Sequence, residues 1–256
     1  MTDSANTTPA IEAKDLGFFY RAGTKILDGL SFSFKEGGIH AILGLNGCGK
    51  TTLLKIMLGV LKPKAGSLKI SQSTAFVPQL FQAVFSFSSL DMVLMGRMRH
   101  IGLFARPSRE DERLALLAMD KLGILDFATR PYPELSGGQR QLVILARALV
   151  SEAKILILDE PASALDLGNQ ARVMRRMSQL REEEGLTVVF TTHSPQHALS
   201  IADDVLLMCG KGDYLSGPAS EVLTEANLSK VYHTEVKLVE FERNGKPEKA
   251  LVPIFT

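Results

Sequence analysis

Hydrophobic and polar positions along the chain alternate with strand periodicity in some segments and with helix periodicity in others. Leu30, Phe32 and Phe34 occupy every second position between serines, which predicts a strand with one buried face. The short apolar run at 39–43 lies between glycines and predicts a fully buried strand. A run of helix-forming residues at 51–58 ends at a glycine and predicts a helix. The first ten residues are polar, and we expect a frayed tail there.

From about residue 80 to residue 149 the pattern becomes helical. Ser108 followed three residues later by Asp111 is a capping-box pattern, which predicts that a helix begins there. The apolar positions after it predict one buried helix face, formed by Leu114, Leu117, Ala118 and Leu122.

The second half of the chain alternates short apolar runs with longer helical patterns. Strands are predicted at 155–158, 187–191 and 205–209, and helices at 169–184 and near residue 198. Strands separated by helices of this length predict an α/β protein with a mainly parallel sheet. At the C-terminus, Asn244-Gly245 lies between two strand-like runs, 236–241 and 250–254, and predicts a hairpin.

Composition indicates a soluble globular protein. The 256 residues are 45% hydrophobic and 22% charged, which excludes a disordered or collagen-like chain. The net charge of +1 gives no electrostatic reason to expect nucleic-acid binding. The two cysteines are too few for a disulfide framework, and no apolar run is long enough to span a bilayer. The N-terminus lacks the basic and apolar blocks of a signal peptide, so we expect a cytosolic protein.

A glycine-rich loop matches the pattern G-x-x-x-x-G-K-[ST], and with the next threonine it predicts a set of nucleotide-binding residues: Gly44, Leu45, Asn46, Gly47, Cys48, Gly49, Lys50, Thr51 and Thr52. The glycines let successive amides face phosphate oxygens, and the following helix presents its positive end to them. Lys50 then reaches the β- and γ-phosphates, and the Thr51 hydroxyl ligates Mg²⁺. The strand and helix that flank the loop favour this interpretation over a surface turn.

Two carboxylates follow the apolar run at 155–158. An acid at the carboxyl end of a buried parallel strand faces the ligand crevice of such folds. Asp159 is therefore predicted to hold Mg²⁺ through water, and Glu160 to polarise the attacking water. Many strands end in solvated acids, so this pattern gains its weight from the phosphate loop upstream.

A third motif, Leu135-Ser136-Gly137-Gly138-Gln139, precedes the helix-compatible run at 140–149. Ser136 is expected to cap that helix, whose first amides then form a second anion site. Alone, the motif would indicate only a capped helix. Together with the two preceding motifs it resembles the LSGGQ signature of the ATP-binding-cassette (ABC) ATPases, and the resemblance extends over nearly the whole chain.

The resemblance implies a fold and a division of the chain. The fold is α/β: a P-loop NTPase (RecA-like) core with a mainly parallel sheet, an N-terminal antiparallel β part and an inserted α-helical subdomain. Residues 1–256 would form one ABC ATPase domain, with the catalytic core at 11–80 and 150–230 and the helical signature subdomain at 81–149. Residues 231–256 would form a C-terminal extension, for which an edge hairpin is the simplest structure.

The resemblance also implies roles for residues outside the three motifs. Tyr20 lies where the family stacks an aromatic ring on adenine. Gln79 matches the glutamine that joins the two subdomains, senses Mg²⁺ and senses the membrane partner. Asp166 belongs to the family's D-loop, and His193 matches the switch histidine that contacts the γ-phosphate. His197 has no counterpart in these motifs, and we expect it to be structural.

One chain carries one phosphate loop and one signature, and in this family the signature acts on the ATP bound by the opposite protomer. The resemblance therefore implies an ATP-dependent head-to-tail homodimer. Each of its two sites would combine Lys50, Thr51, Asp159, Glu160 and His193 from one chain with Ser136, Gly138 and Gln139 from the other. ATP would hold the two chains together, and hydrolysis would release them.

Of three functional hypotheses, the sequence leaves the first two and argues against the third. The first is the ATPase subunit of an importer, lying peripherally at the cytoplasmic face of the membrane and binding separate permease subunits through the helical segment and the Gln79 loop. A periplasmic or extracellular binding protein would be an indirect partner, and no nucleic acid is expected. The second is a non-transport ABC ATPase of the iron–sulfur-assembly or DNA-repair type. The third, a small-molecule kinase, would not need the motif at 135–139.

Import of a metal chelate or metal oxyanion is favoured as the transport function. The loop at 46–50 and the stretch at 90–97, which contains Met-Gly-Arg, resemble importers of iron–siderophore, haem and cobalamin. Within that group, the segments at 76–79 and 92–100 are most similar to the molybdate/tungstate members.

Overall fold

The computed structural model describes residues 9–21, 23–79, 86–101, 105–210, 212–243 and 245–255. The chain divides into two compact units, Met1–Ser71 with Gly185–Thr256, and Gln72–Glu184. Within the described ranges, no helix has the length and apolar character needed to cross a membrane.

The first unit contains an antiparallel sheet of N-terminal strands. Its strands are β1 (Pro9–Phe19), β2 (Lys25–Lys35) and β4 (Ala65–Ile70), in the order β2-β1-β4. The apolar positions predicted in β2 are all buried, which confirms the predicted alternation. The antiparallel β part implied by the family resemblance is therefore present.

A second sheet of the first unit positions two of the predicted site segments. It contains β3 (Ile39–Gly44), β7 (Thr187–Thr192), β8 (Asp204–Gly210) and β9 (Asp213–Pro218), in the order β7-β3-β8-β9. Strand β3 is parallel to β7 and β8, while β9 is antiparallel to β8. Because Leu43 pairs with Thr192, the segments that follow β3 and β7 begin at the same edge of the sheet.

Helices and a terminal hairpin complete the first unit. The helices are α1 (Lys50–Met57), α6 (Pro195–Ile201), α7 (Ala219–Val222) and α8 (Glu225–Tyr232). Strands β10 (Glu235–Arg243) and β11 (Lys246–Ile254) pair antiparallel, which confirms the predicted hairpin. Gly245 has a φ of +74°, which suits a glycine in the turn, while Asn244 lies outside the described residues.

The second unit combines a parallel strand pair with helices. Strands β5 (Thr74–Val77) and β6 (Ile155–Leu158) are parallel, and β6 matches the strand predicted at 155–158. The helices are α2 (Ser89–Leu94), α3 (Arg109–Lys121), α4 (Gly137–Leu149) and α5 (Leu167–Glu184). Residues 80–85 and 102–104 of the predicted helical segment lie outside the described residues.

Helix α3 has the predicted capping box, and of its four predicted buried positions Ala118 and Leu122 are buried, Leu114 is half-buried and Leu117 is exposed. Leu117 is 42% exposed, and the positions with little exposure are Asp111, Ala115, Ala118, Met119 and Leu122. Asp111 was not predicted to be buried, and it faces the buried Arg97, whose Nε donates to Asp111 Oδ1 over 2.9 Å. Hydrogen bonds from Ser108 and Arg97 lower the pKa of Asp111 to about 2, so this inward-facing carboxylate stays charged.

The Met-Gly-Arg stretch forms a short 3₁₀ turn, Met95–Arg97, that packs against α4. A Cβ on Gly96 would lie 2.0 Å from the backbone oxygen of Arg147, so only glycine fits this approach. Arg97 Nη1 donates to Val150 O over 3.1 Å and to Glu152 Oε2 over 2.8 Å. The Met-Gly-Arg turn therefore has a packing role: Arg97 binds the beginning of α3 and the end of α4.

Candidate functional site

The phosphate loop connects buried β3 to α1 by backbone that requires glycine. Gly47 and Gly49 have φ angles of +82° and +111°, in the region that side chains disfavour. A Cβ on Gly44 would lie 2.6 Å from Met208 O, so the close approach of β8 leaves room only for glycine at position 44. The strand, loop and helix expected for phosphate binding are therefore all present.

Lys50 lies at the first position of α1, and its side chain turns back across the loop. The residue is only 6% exposed, and its Nζ donates to Gly44 O over 2.8 Å and to Leu45 O over 3.2 Å. The ammonium charge is thereby fixed beside the loop backbone. Asn46 and Thr51 lie at the surface around it, where a phosphate group has access.

Tyr20 lies directly after β1 and is 58% exposed, so it does not belong to the core. Its hydroxyl is 3.3 Å from Thr52 Oγ1 in α1, and its ring meets the edge of Phe18 with centroids 5.0 Å apart. The structure therefore places an accessible aromatic ring beside the helix that follows the phosphate loop. This position suits the predicted contact with adenine.

His193 follows β7 and is exposed at the edge where the phosphate loop also begins. Thr192 Oγ1 accepts a hydrogen bond from Ser194 N over 3.0 Å and lies 3.2 Å from His197 Nδ1. His197 thus contacts the end of β7 through its ring, in keeping with the structural role expected for it.

In the second unit, Asp159 and Glu160 follow β6 and are half-buried. The amide of Asp159 donates to Val77 O over 2.9 Å, so backbone pairing with β5 continues up to the acids. Glu160 has a φ of +44°, a left-handed conformation that is uncommon for residues other than glycine. Such backbone strain is concentrated at functional sites, where the surrounding structure maintains it.

Ser163 links Gln79 to the strained backbone of Glu160. Its hydroxyl donates to Glu160 O over 3.1 Å and accepts from Gln79 Nε2 over 3.0 Å. The amide of Ser163 also donates to Glu160 O over 3.2 Å. Ser163 was not among the residues predicted for the site. Its position in the segment 163–166, which matches the family's D-loop, was the only sequence feature that could have indicated it.

The signature residues form the amino end of α4, as predicted. Ser136 and Gln139 make a reciprocal capping box, with Ser136 N donating to Gln139 Oε1 over 2.9 Å and Gln139 N donating to Ser136 Oγ over 3.4 Å. Gly138 is buried beneath Asn169, since a Cβ there would lie 2.5 Å from the Asn169 side chain.

Asn169 also binds the predicted site residue Asp166. Its amide donates to Asp166 Oδ1 over 2.9 Å, and its Nδ2 donates to Asp166 Oδ2 over 2.6 Å. The hydrogen bond from the Asn169 backbone lowers the pKa of Asp166. Asn169 therefore connects the D-loop carboxylate with the signature glycine, a role that no sequence motif indicated.

A glycine-rich phosphate loop between a parallel strand and a helix, in an α/β fold with strand-end carboxylates, defines the class of P-loop nucleoside triphosphatases. The family profile described as ABC transporter matches residues 27–163. The chain belongs to the ABC transporter family and is an ATP-binding ATPase of that family. Its predicted α/β fold is confirmed by the ABC structures that it resembles.

Three relatives illustrate the similarity. The molybdate import ATP-binding protein MolC of Haemophilus influenzae is 44% identical over 224 residues, 88% of this chain and 88% of that protein. A chain of an inward-facing ABC transporter assigned to the metal-chelate type is 41% identical, with a TM-score of 0.91 over 96% of this chain and 98% of that chain. An ATP-binding cassette in a dimeric, post-hydrolysis structure bound to ADP and phosphate is 26% identical, with a TM-score of 0.71 over 82% of this chain and 98% of that chain.

Proposed function

We propose that this chain is the ATP-hydrolysing subunit of an importer for a metal oxyanion or metal chelate, with molybdate as the first cargo to test. The observation that carries the proposal is the identity of 44% to a molybdate import ATP-binding protein along 88% of both chains. The phosphate loop and both strand-end carboxylates support the ATPase role. The non-transport alternative, an iron–sulfur-assembly or DNA-repair ATPase, gains no support from these relatives.

Phosphate binding is proposed for the loop at 44–52. Backbone amides of the loop and the positive end of α1 face anionic oxygens, while Lys50 supplies the positive charge. Tyr20 is proposed to stack on the adenine ring. The signature residues of a second copy, Ser136, Gly138 and Gln139, are proposed to complete the nucleotide site.

Mg²⁺ is proposed to bind through Thr51, Asp159 and Gln79. Their hydroxyl, carboxylate and amide oxygens are the hard donors that Mg²⁺ prefers, with phosphate oxygens and water as its other usual ligands. Within the described part of the chain, no group of three or more His, Cys, Asp or Glu residues could hold a metal by itself. When bound, the ion neutralises charge on the phosphates during phosphoryl transfer.

Glu160 is proposed to accept the proton of the attacking water, and His193 to contact the γ-phosphate. The carboxylate lies at the end of β6 on backbone that Ser163 holds by two hydrogen bonds, which limits its range of orientations. A positioned base contributes most when its geometry is fixed before the reaction. Gln79 donates to the same Ser163 hydroxyl, so a movement of Gln79 would shift Ser163 and, through it, the backbone of Glu160.

We further propose that two copies pair head to tail around ATP, as in the family. Such a pair is a closed two-fold assembly in which each chain contributes its phosphate loop to one nucleotide site and its signature residues to the other. The similarity to a cassette solved as a dimer with ADP and phosphate supports the pairing. The two chains would close on ATP and open after hydrolysis, and this movement would drive the conformational change of the permease.

A groove in the second unit is proposed as the contact with the permease, at the cytoplasmic face of the membrane. It has a volume of about 530 Å³ and is mainly apolar, with lining residues Phe87, Asp91, Leu94, Met95, Met98, Ile101, Ala105 and Pro107. Met98 is 70% exposed and Phe87 is 38% exposed, so the groove presents large apolar side chains to solvent within one contiguous patch. An amphipathic helix of a partner suits a groove of this composition. The periplasmic binding protein would act only through the permease.

Met98→Glu is expected to weaken binding of the chain to its permease by roughly tenfold or more, because a buried unpaired carboxylate is costly. Hydrolysis by the isolated chain should be unaffected. Val60→Glu is the matched control, since Val60 is 68% exposed in the other unit. Co-purification from detergent-solubilised membranes measures the effect. Equal recovery of permease with both variants would contradict the proposed docking site.

Cells that lack this chain are expected to lose accumulation of molybdate while retaining uptake of amino acids and sugars. Uptake of ⁹⁹Mo-molybdate and of a ferric siderophore should be measured in parallel, with the chain restored from a plasmid as control. Loss of siderophore uptake alone would move the cargo to the chelates. A selective loss of sugar uptake would reject the proposed cargo class while leaving the ATPase function intact.

A further inference from the structure

The C-terminal segment, defined by the described residues 225–243 and 245–255, comprises α8 and the β10–β11 hairpin. The hairpin is fixed to α8, because Leu238 N donates to Glu225 Oε1 over 2.8 Å and Val236 N donates to Ser229 Oγ over 3.1 Å. Val236 is only 3% exposed. The segment is therefore an ordered part of the first unit, and the functional assignments above leave it without a role.

This segment binds the loop that carries His193. Tyr232, the last residue of α8, donates from its hydroxyl to His193 O over 2.9 Å. Gln196, three residues beyond His193, accepts from Leu251 N over 2.9 Å and donates from Nε2 to Lys249 O over 3.5 Å. The short loop that carries His193 is thus bonded by α8, and the first turn of α6, which follows this loop directly, is bonded by β11.

The bond from Tyr232 acts directly on the peptide of His193. A fixed carbonyl restricts the backbone torsion of that residue and so restricts the direction of its side chain. Burial raises the pKa of Tyr232, so its hydroxyl remains a proton donor across the physiological pH range. The tyrosine ring has few rotatable bonds, so it holds its hydroxyl in place at low entropic cost.

We propose that the C-terminal segment holds the His193 loop in the conformation needed for hydrolysis, with Tyr232 as the positioning residue. This inference rests on the proposed contact of His193 with the γ-phosphate. Tyr232 itself does not touch the nucleotide in this account. Its effect is therefore expected on the chemical step rather than on ATP binding, which depends on the phosphate loop.

Tyr232→Phe removes the hydroxyl and preserves the ring. We expect kcat for ATP hydrolysis by the complex with the permease to fall by roughly two- to tenfold, with KM for ATP unchanged. Tyr214→Phe is the matched control, because the Tyr214 hydroxyl also bonds backbone in this unit, donating to Gly29 O and accepting from Ser31 N. The control should retain kcat. Gln196→Ala, which removes the other two bonds, should lower kcat as Tyr232→Phe does, and unfolding midpoints identify any variant that fails to fold.

A double-mutant cycle tests whether Tyr232 acts through His193. In the His193→Ala background, Tyr232→Phe should cause no further fall in the single-turnover rate of phosphate release. An unchanged kcat in Tyr232→Phe, or an equal fall in both backgrounds, would overturn this inference and leave the proposed function standing. Full hydrolysis by His193→Ala would instead remove the role proposed for His193, and this inference with it.

Discussion

Replacement of Glu160 by glutamine is expected to slow ATP hydrolysis by roughly 10²- to 10⁴-fold while ATP affinity is retained. The amide has the shape of the carboxylate and still accepts hydrogen bonds through its oxygen, but it cannot accept a proton from water. The left-handed backbone of Glu160, held by Ser163, should tolerate the substitution because only the side-chain terminus changes. Since ATP is no longer consumed, it should hold two chains together.

Size-exclusion chromatography with ATP and Mg²⁺ measures that pairing. The Glu160→Gln variant should elute as a dimer with ATP and as a monomer with ADP. Glu182→Gln provides the control, because Glu182 is an exposed acid on α5 and its replacement changes the charge by the same amount. A Glu160→Gln variant that remains monomeric at saturating ATP would argue against ATP as the agent that joins the two chains.

Lys50→Ala is expected to have the opposite effect, with loss of ATP binding and of ATP-driven pairing. The buried ammonium is fixed by two loop carbonyls beside the proposed phosphate position. Hydrogen bonds to charged partners contribute about 1.5–3 kcal/mol, so affinity for ATP should fall by about 10- to 150-fold. Titration calorimetry measures the loss.

Lys55→Ala is the matched control for this change. Lys55 lies in the last turn of the same helix and is exposed, so its removal should leave ATP affinity unchanged. Thermal unfolding of both variants without nucleotide separates loss of binding from loss of folding. Equal ATP affinity of Lys50→Ala and the unsubstituted chain would show that Lys50 does not contact the phosphates.

The elements that the sequence predicted well are those specified by local patterns. Period-two alternation in β2, the apolar run of β3 and the glycine positions of the phosphate loop each depend on neighbouring residues. The capping box at Ser108 and the helix cap at Ser136 likewise depend only on residues within a few positions of each other. These patterns sufficed to predict the α/β class and the strand, loop and helix at the phosphate site.

What the sequence did not predict depends on contacts between distant residues. The buried face of α3 includes Asp111, which forms an ion pair with Arg97, and hydrophobic periodicity takes no account of a buried charge. The link from Gln79 through Ser163 to Glu160 joins two loops that are 84 residues apart in the chain. Tyr232 and His193 are 39 residues apart, and neither carries a local signal of their contact.

The most direct test of the central claim is the rate of phosphate release from ATP by this chain in complex with its permease subunits. The claim predicts release that depends on Mg²⁺, increases when a binding protein loaded with its cargo is added, and falls to background with either Glu160→Gln or Lys50→Ala. Release at the unsubstituted rate by both variants would contradict it, because hydrolysis would then not use the site described for this chain.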